Sequence, residues 1–200
     1  VPHKEAVARL VDERSGAAQV LGAVNTIVNR EGVLHGHNTD GEGFLRSLRE
    51  AGEEVRDRRV TFLGAGGAAR SVAYAVASAG AAAVTIVNRT PARAQEVADL
   101  VSLHTSVQAS VAALDSPEAR QAVREAQVII DCTPCGMFPH VDEAPAIPPE
   151  WLHESIPRVI RCCSRRHVRQ VREPSRVWGC WCIRAPSLWS CGPGRLRRSR

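Results

Sequence analysis

Lys4 is the only lysine among 26 basic residues. In a chain that uses arginine for every other fixed cation, the surviving lysine invites a chemical explanation. An ammonium gives up and takes back a proton near neutral pH, and a guanidinium does not. A chance survivor on the surface is the plain alternative. Asp40 is its natural partner, a carboxylate at a strand–helix corner, where it also reads as an ordinary helix cap. Asn25 stands among apolar strand residues. It could present an amide to a polyhydroxylated ligand, or it could simply satisfy its own hairpin.

A second group of residues addresses phosphate. The apolar run Val60-Thr61-Phe62-Leu63 stops at Gly64-Ala65-Gly66-Gly67-Ala68-Ala69-Arg70, which opens an Ala-rich helical stretch to about Gly80. A second apolar run, Ala83 to Val87, follows. Strand, glycine turn, helix and strand make half of a dinucleotide-binding fold. Gly64 permits the tight turn, Gly66 lets backbone approach a pyrophosphate, and Ala69 is small enough for the helix to pack on the sheet. The helix start supplies unpaired N–H groups for the phosphates. An NAD site usually places Asp or Glu after the second strand, to accept from the ribose 2′-hydroxyl. Here the strand ends in Asn88-Arg89-Thr90, with Arg93 one helical turn on. Guanidinium groups suit a 2′-phosphate. The cofactor expected is NADP, with a ligand-free strand–helix turn as the bland alternative.

These residues need elements to hold them. Residues 3–14 read as a helix with Val7, Leu10 and Val11 on one stripe. Ala23–Val28 and Val33–His37 flank Asn29-Arg30-Glu31-Gly32, a hairpin with glycine in the turn. Asn38-Thr39-Asp40 then starts a helix carrying Phe44, Leu45 and Leu48, which closes at Ala51-Gly52. Beyond Thr90 the pattern predicts a helix over 91–104, a strand over 106–109, a helix over 116–126 and a strand at Val128-Ile129-Ile130. Loops at the carboxyl ends of such strands line the crevice where open α/β sheets bind ligands. The alternation of strands and helices implies a parallel sheet with right-handed crossovers.

Composition sets the bounds. At 44% hydrophobic the chain can bury a core, and no apolar run approaches the roughly 18 residues of a membrane span. The start lacks both Met and a signal-peptide core, so the chain is expected to be cytoplasmic and cut short at that end. The net charge of +5 hides a break: residues 1–150 hold 14 basic and 19 acidic side chains, residues 151–200 hold 12 and 2. That last quarter also has five of the seven Cys and all four Trp. Its arginines fall on no single helical face and its cysteines lack paired metal-ligand spacing, which argues against nucleic-acid and metal binding.

Six blocks resemble the shikimate dehydrogenase family. They are Val1-Pro2-His3-Lys4-Glu5, Gly22-Ala23-Val24-Asn25-Thr26, Gly36-His37-Asn38-Thr39-Asp40-Gly41, Gly64-Ala65-Gly66-Gly67-Ala68, Asn88-Arg89-Thr90 with Arg93, and Cys132-Thr133-Pro134-Cys135-Gly136-Met137. They keep the family's order and spacing over residues 1–150. The resemblance implies an NADP-dependent oxidoreductase interconverting 3-dehydroshikimate and shikimate, on the route to aromatic amino acids. It implies Lys4 as proton donor and acceptor, Asp40 as its partner in orienting substrate, and Asn25 on a substrate hydroxyl. Gly64, Ala65, Gly66, Gly67 and Ala68 then hold the pyrophosphate. Asn88, Arg89, Thr90 and Arg93 surround the 2′-phosphate, and Thr133 and Met137 lie beside the cofactor.

Two family pieces have no counterpart here: an upstream serine loop that grips the substrate carboxylate, and downstream Asp-x-x-Tyr and Gly-x-x-Met-Leu-x-x-Gln motifs. After Trp151-Leu152 nothing matches, as a change of reading frame near residues 155–160 would produce. The expected architecture is α/β: the remnant of a shikimate-binding α/β domain over 1–40 and a Rossmann-like, doubly wound parallel sheet for NADP over 41–150. An aberrant tail without regular structure follows over 151–200. The partner expected is a small molecule, with no nucleic acid and no membrane, and the oligomeric state is not legible. Two other readings stay open, a quinate or aminoshikimate dehydrogenase relative and a non-catalytic NADP-binding remnant.

Overall fold

The structure is a computed structural model that describes residues 3–135, 147–151, 159–161 and 177–179. The first part of the chain forms a small three-stranded sheet. Helix α1 (Lys4–Ala8) leads to β1 (Glu13–Arg14), α2 (Gly16–Leu21) and the hairpin β2 (Thr26–Arg30) and β3 (Val33–His37), in the order β1-β3-β2. The expected hairpin forms with a shorter turn, since Asn29 and Arg30 pair with Leu34 and Val33 as the end of β2. Glu31 and Gly32 both take positive φ, 53° and 93°, the geometry that matches strand twist in a two-residue loop.

The single helix expected over 3–14 is instead the short helix α1 and the edge strand β1, and a second helix, α2, follows them. Tertiary pairing wins over the apolar stripe. Asp12 N donates to Leu34 O at 3.0 Å and Asp12 Oδ2 accepts from Leu34 N at 2.7 Å, which draws the chain out along β3. Ser15 then restarts a helix, its Oγ accepting from Ala18 N.

Helix α3 (Asp40–Glu50) crosses to the larger sheet, built from β4 (Arg59–Leu63), α4 (Gly67–Ser78), β5 (Ala83–Asn88), α5 (Pro91–His104), β6 (Ala109–Ala113), α6 (Pro117–Glu125), β7 (Val128–Asp131), β8 (Val159–Arg161) and β9 (Val177–Gly179). All its pairings are parallel, in the order β6-β5-β4-β7-β8-β9. The winding runs outward in one direction from β4 and in the other from β7. The topological switch point therefore lies between these two strands. This is a doubly wound, Rossmann-like sheet.

Its strands are continuous apolar runs because both faces are covered. Val60, Phe62, Val84, Ile86, Ile130 and Ile160 pack with α3, α4 and α5 in one core. Their neighbours Leu63, Val87, Ile129 and Val159 point the other way, against Ala119 and Val123 of α6. Phe62, Ile86, Ile129 and Ile130 are fully buried, and each such side chain contributes about 1.5–3 kcal/mol by leaving water.

Two elements depart from expectation. The strand expected over 106–109 lies at 109–113, because α5 wraps its own exit: Thr105 Oγ1 accepts from Val107 N at 3.1 Å and Ser102 Oγ from Ala109 N at 3.0 Å. Pairing to β5 then makes a strand of an Ala-rich run that carries little strand signal of its own. Strands β8 and β9 lie in the stretch read as lacking regular structure. Val159 and Ile160 are buried on opposite faces of the sheet edge beside β7, as a β-branched pair placed there should be. No described helix is long and apolar enough to cross a membrane.

Candidate active site

Lys4 is the first residue of α1, and its carbonyl accepts from Val24 N at 2.9 Å, tying that helix to the start of the hairpin. Asp40 is the first residue of α3. Thr39 precedes it as the cap position, with no side-chain cap bond. Asp40 is therefore not spent on capping. Its Oδ2 takes an ion pair from Lys4 Nζ, and its Oδ1 accepts from Asn25 Nδ2 at 2.7 Å. Asn25 Oδ1 in turn accepts from Thr39 N at 3.1 Å and from the hydroxyls of Thr26 and Thr39 at 3.0 and 3.2 Å. The hairpin reading of Asn25 is the one these bonds describe: one amide braces the hairpin exit and also fixes the carboxylate. Lys4 and Asp40 keep 30% and 34% of their side-chain surface exposed, enough to meet a ligand.

The glycine turn stands across a cleft from this cluster. Gly64 closes β4 with φ +94°, and a Cβ there would sit 3.2 Å from the Cys132 carbonyl and from Thr133 Cγ2. Only glycine fits a left-handed position so closely walled. Gly66 and Gly67 are different: nothing lies within 4 Å of a Cβ at either, and α4 starts without a side-chain cap. Open space in front of uncapped helix N–H groups suits a pyrophosphate, so these residues fit a dinucleotide. Ala65 and Ala68 pack partly into the first core, and Ala69 is fully buried between helix and sheet.

Asn88 Nδ2 donates to Thr90 O at 2.9 Å and shapes the turn after β5. Arg89, Thr90 and Arg93 are exposed beside it, and neither arginine has an ion pair among the described residues. Thr133 donates through N and Oγ1 to Asp131 Oδ1 at 2.9 and 2.6 Å, holding the loop after β7 against Gly64. Met137 lies outside the described residues.

A cleft of about 260 Å³ is lined by Lys4, Glu5, Leu21, Ala23, Gly67, Arg70 and Ser71, so the lysine and the start of α4 share one space. A larger, open depression of about 680 Å³ runs along α6 from Asp115 to Glu125. It contains none of the residues singled out by their chemistry, and chemistry rather than size decides between the two. Three further residues belong to the site's framework. Asn38 donates to Ala23 O at 3.1 Å and accepts from Asp40 N at 3.3 Å. Gly41 lies directly on α4, where a Cβ would meet Ser71 O and Ala75 Cβ at 2.6 Å. Arg70 adds a cation to the cleft wall. The sequence gives a signal for Asn38 and Gly41, which flank the candidate acid in one block, and none for the part Arg70 takes in the cleft wall.

The family described as Shikimate / quinate 5-dehydrogenase matches residues 47–137. The NADP(+) shikimate dehydrogenase of Symbiobacterium thermophilum is 51% identical over 146 residues, 72% of this chain and 50% of the relative. That of Methanopyrus kandleri is 43% identical over 157 residues, 78% of this chain and 54% of the relative. This chain belongs to the shikimate dehydrogenase family. A member of known structure, shikimate 5-dehydrogenase from Listeria monocytogenes in complex with shikimate and NAD, superposes with a TM-score of 0.74 at 32% identity, over 80% of this chain and 57% of that one. The chain spans about half the length of the curated family members it matches.

Proposed function

We propose that this chain carries out the shikimate dehydrogenase reaction, interconverting 3-dehydroshikimate and shikimate with NADP, and that residues 1–40 serve the substrate while 41–150 serve the cofactor. The observation that carries the reading is the shared cleft: Lys4, held by Asp40, which Asn25 braces in turn, lines the same space as Gly67 and Arg70 at the uncapped start of α4. A dinucleotide held by its pyrophosphate in the glycine cradle would supply the hydride and take it back in the reverse direction. Lys4 Nζ moves the proton, giving it to the oxygen of the ring ketone as hydride arrives and taking it from the hydroxyl in the reverse direction. General acid–base help of this kind is worth roughly 10²–10⁴ in rate. Asp40 Oδ2 aims the lysine, and Asn25 holds the other carboxylate oxygen and reaches the substrate's hydroxyl groups.

Gly64, Ala65, Gly66, Gly67 and Ala68 cradle the pyrophosphate. Asn88 keeps the turn open, and Arg89, Thr90 and Arg93 surround the 2′-phosphate. Thr133 lies beside the cofactor on the switch-point side. The two relatives are named for NADP(+), whereas the Listeria protein is described with NAD, so cofactor choice rests on Arg89 and Arg93. Titration of the chain with both cofactors should give tighter binding of NADP+, and Arg89→Ala should lose that preference by about 1–2 kcal/mol, the scale of one charged hydrogen-bonding partner. Equal affinity for the two, or an unchanged NADP+ affinity in Arg89→Ala, overturns the assignment. Tight NADP+ binding with no turnover of shikimate leaves instead a chain that binds the dinucleotide and converts nothing.

A further inference from the structure

The proposed reaction leaves one pair of reactive groups unused. Cys132 and Cys135 follow β7, and both are free thiols, partly buried and partly open. The segment reads Cys132-Thr133-Pro134-Cys135, and two cysteines separated by two residues are placed for thiol–disulfide exchange. The backbone between them is curved. Asp131 Oδ1 accepts from both Thr133 N and Thr133 Oγ1, and the chain bends at Thr133 and at Pro134. Such bends shorten the path between the two cysteines, whose Cα atoms must come within about 6.8 Å for a disulfide. Proline restricts φ inside the bend, so little chain entropy is left to lose on closure.

This loop is also a wall of the dinucleotide cradle. Cys132 N donates to Leu63 O at 2.8 Å, and the Cys132 carbonyl and Thr133 Cγ2 lie 3.2 Å from the position of a Cβ on Gly64. Gly64 begins the turn that leads to Gly66 and the start of α4. The hydrogen bond from Cys132 N to Leu63 O ties the cysteine to the residue before Gly64, so a displacement of Cys132 is carried to that turn.

We propose that Cys132 and Cys135 form a redox-switched dithiol whose oxidation to a disulfide weakens dinucleotide binding in the adjoining cradle. The oxidant is a small-molecule disulfide. One cysteine thiolate attacks a sulfur of RSSR and expels RS⁻. The second cysteine attacks the mixed disulfide and expels the other RS⁻. Two protein thiols and one RSSR thus become one protein disulfide and two RSH, with both electrons and both protons ending on the small thiols. The effect on affinity rests on the dinucleotide reading above, whereas formation of the disulfide does not.

The sequence makes the test clean. No lysine or arginine lies between Arg124 and Arg158, so trypsin releases residues 125–158 as one peptide whose only cysteines are Cys132 and Cys135. The whole chain is equilibrated with oxidised or reduced glutathione, alkylated, digested and weighed. The oxidised sample should give this peptide unalkylated and about 2 Da lighter than the dithiol, and the reduced sample should give it doubly alkylated. Titration of the same samples with NADPH should show a Kd raised roughly tenfold or more by oxidation and restored by dithiothreitol. In Cys135→Ser, oxidised glutathione should leave Kd at the reduced value, which excludes the five other cysteines as the cause. The proposal is overturned if the peptide stays doubly alkylated under excess oxidant. It is overturned equally if the disulfide forms and Kd does not change, or if Cys135→Ser responds as the parent does. A reduced chain that binds no NADPH defeats the dinucleotide reading, and the effect on affinity with it, while the peptide mass still decides the disulfide.

Discussion

Replacing Gly41 with alanine should push α3 away from α4, the helix whose start lines the cleft. Gly41 follows Asp40 at the start of α3, and an added Cβ would stand 2.6 Å from both Ser71 O and Ala75 Cβ on α4. Ordinary carbon contacts lie at about 3.5–4.0 Å, so α3 and α4 must part by roughly 1 Å. One of the obstructing atoms is backbone and cannot rotate away. Overpacking of this kind costs about 1–3 kcal/mol. Relief from glycine's entropy cost within a helix offsets about 0.5–1 kcal/mol, leaving a net loss of about 1 kcal/mol and a Tm lower by roughly 2–4 °C for a chain of this size. Urea denaturation followed by circular dichroism reads the first number and thermal unfolding the second. Because Asp40 rides on the displaced turn, shikimate turnover should fall as well. Ala75→Gly removes one of the two obstructions, so the double variant should recover part of the loss, with a coupling of about 0.5 kcal/mol or more. A Gly41→Ala chain as stable as the parent within about 0.3 kcal/mol, or strictly additive effects in the double variant, would refute the close approach.

The other predictions concern the cradle, the proton and the gene. Gly66→Ala meets nothing within 4 Å and keeps an ordinary backbone angle, so stability should change by less than about 0.5 kcal/mol while NADP+ affinity falls roughly tenfold or more; unchanged affinity means the phosphates lie elsewhere. Lys4→Ala should lower turnover of shikimate by roughly 10²–10⁴ with NADP+ affinity near that of the parent, and a normal turnover number would reduce the sole lysine to coincidence. If the reading frame changes near residue 155, translating the gene's other two frames beyond that point should produce the Asp-x-x-Tyr and Gln motifs of the family. Their absence from both frames sinks that account.

Much of the nucleotide half was legible without coordinates, and the reason is local. Runs such as Val60–Leu63 and Ala83–Val87 are apolar at every position but Thr61 and Thr85, because both faces of a parallel strand are covered, and the glycines between them mark a turn that other residues cannot make. Signals carried by neighbours in sequence survive without a partner to complete them. The helices after Thr90 and Ser116 were equally plain, since each begins with proline at its first position.

Signals that depend on distant partners did not survive. The apolar stripe of residues 3–14 suggests one helix, but the edge of β3 offered Asp12 and Arg14 a ladder and broke it. The strand at Ala109–Ala113 has almost no propensity of its own and exists because β5 lies beside it. Val159 and Ile160 become a strand against β7, within a stretch whose composition argues for none. The chemistry divides in the same way. Residue types identified Lys4, Asp40 and Asn25 as candidates, yet Lys4 and Asp40 are 36 positions apart, and only folding joins them through one carboxylate. Sequence by itself determined which groups this protein can bring to a dinucleotide and a proton. Tertiary structure decided where those groups meet: Lys4 and the start of α4 line one cleft, and α3, which begins with Asp40, lies directly on α4 because Gly41 has no side chain.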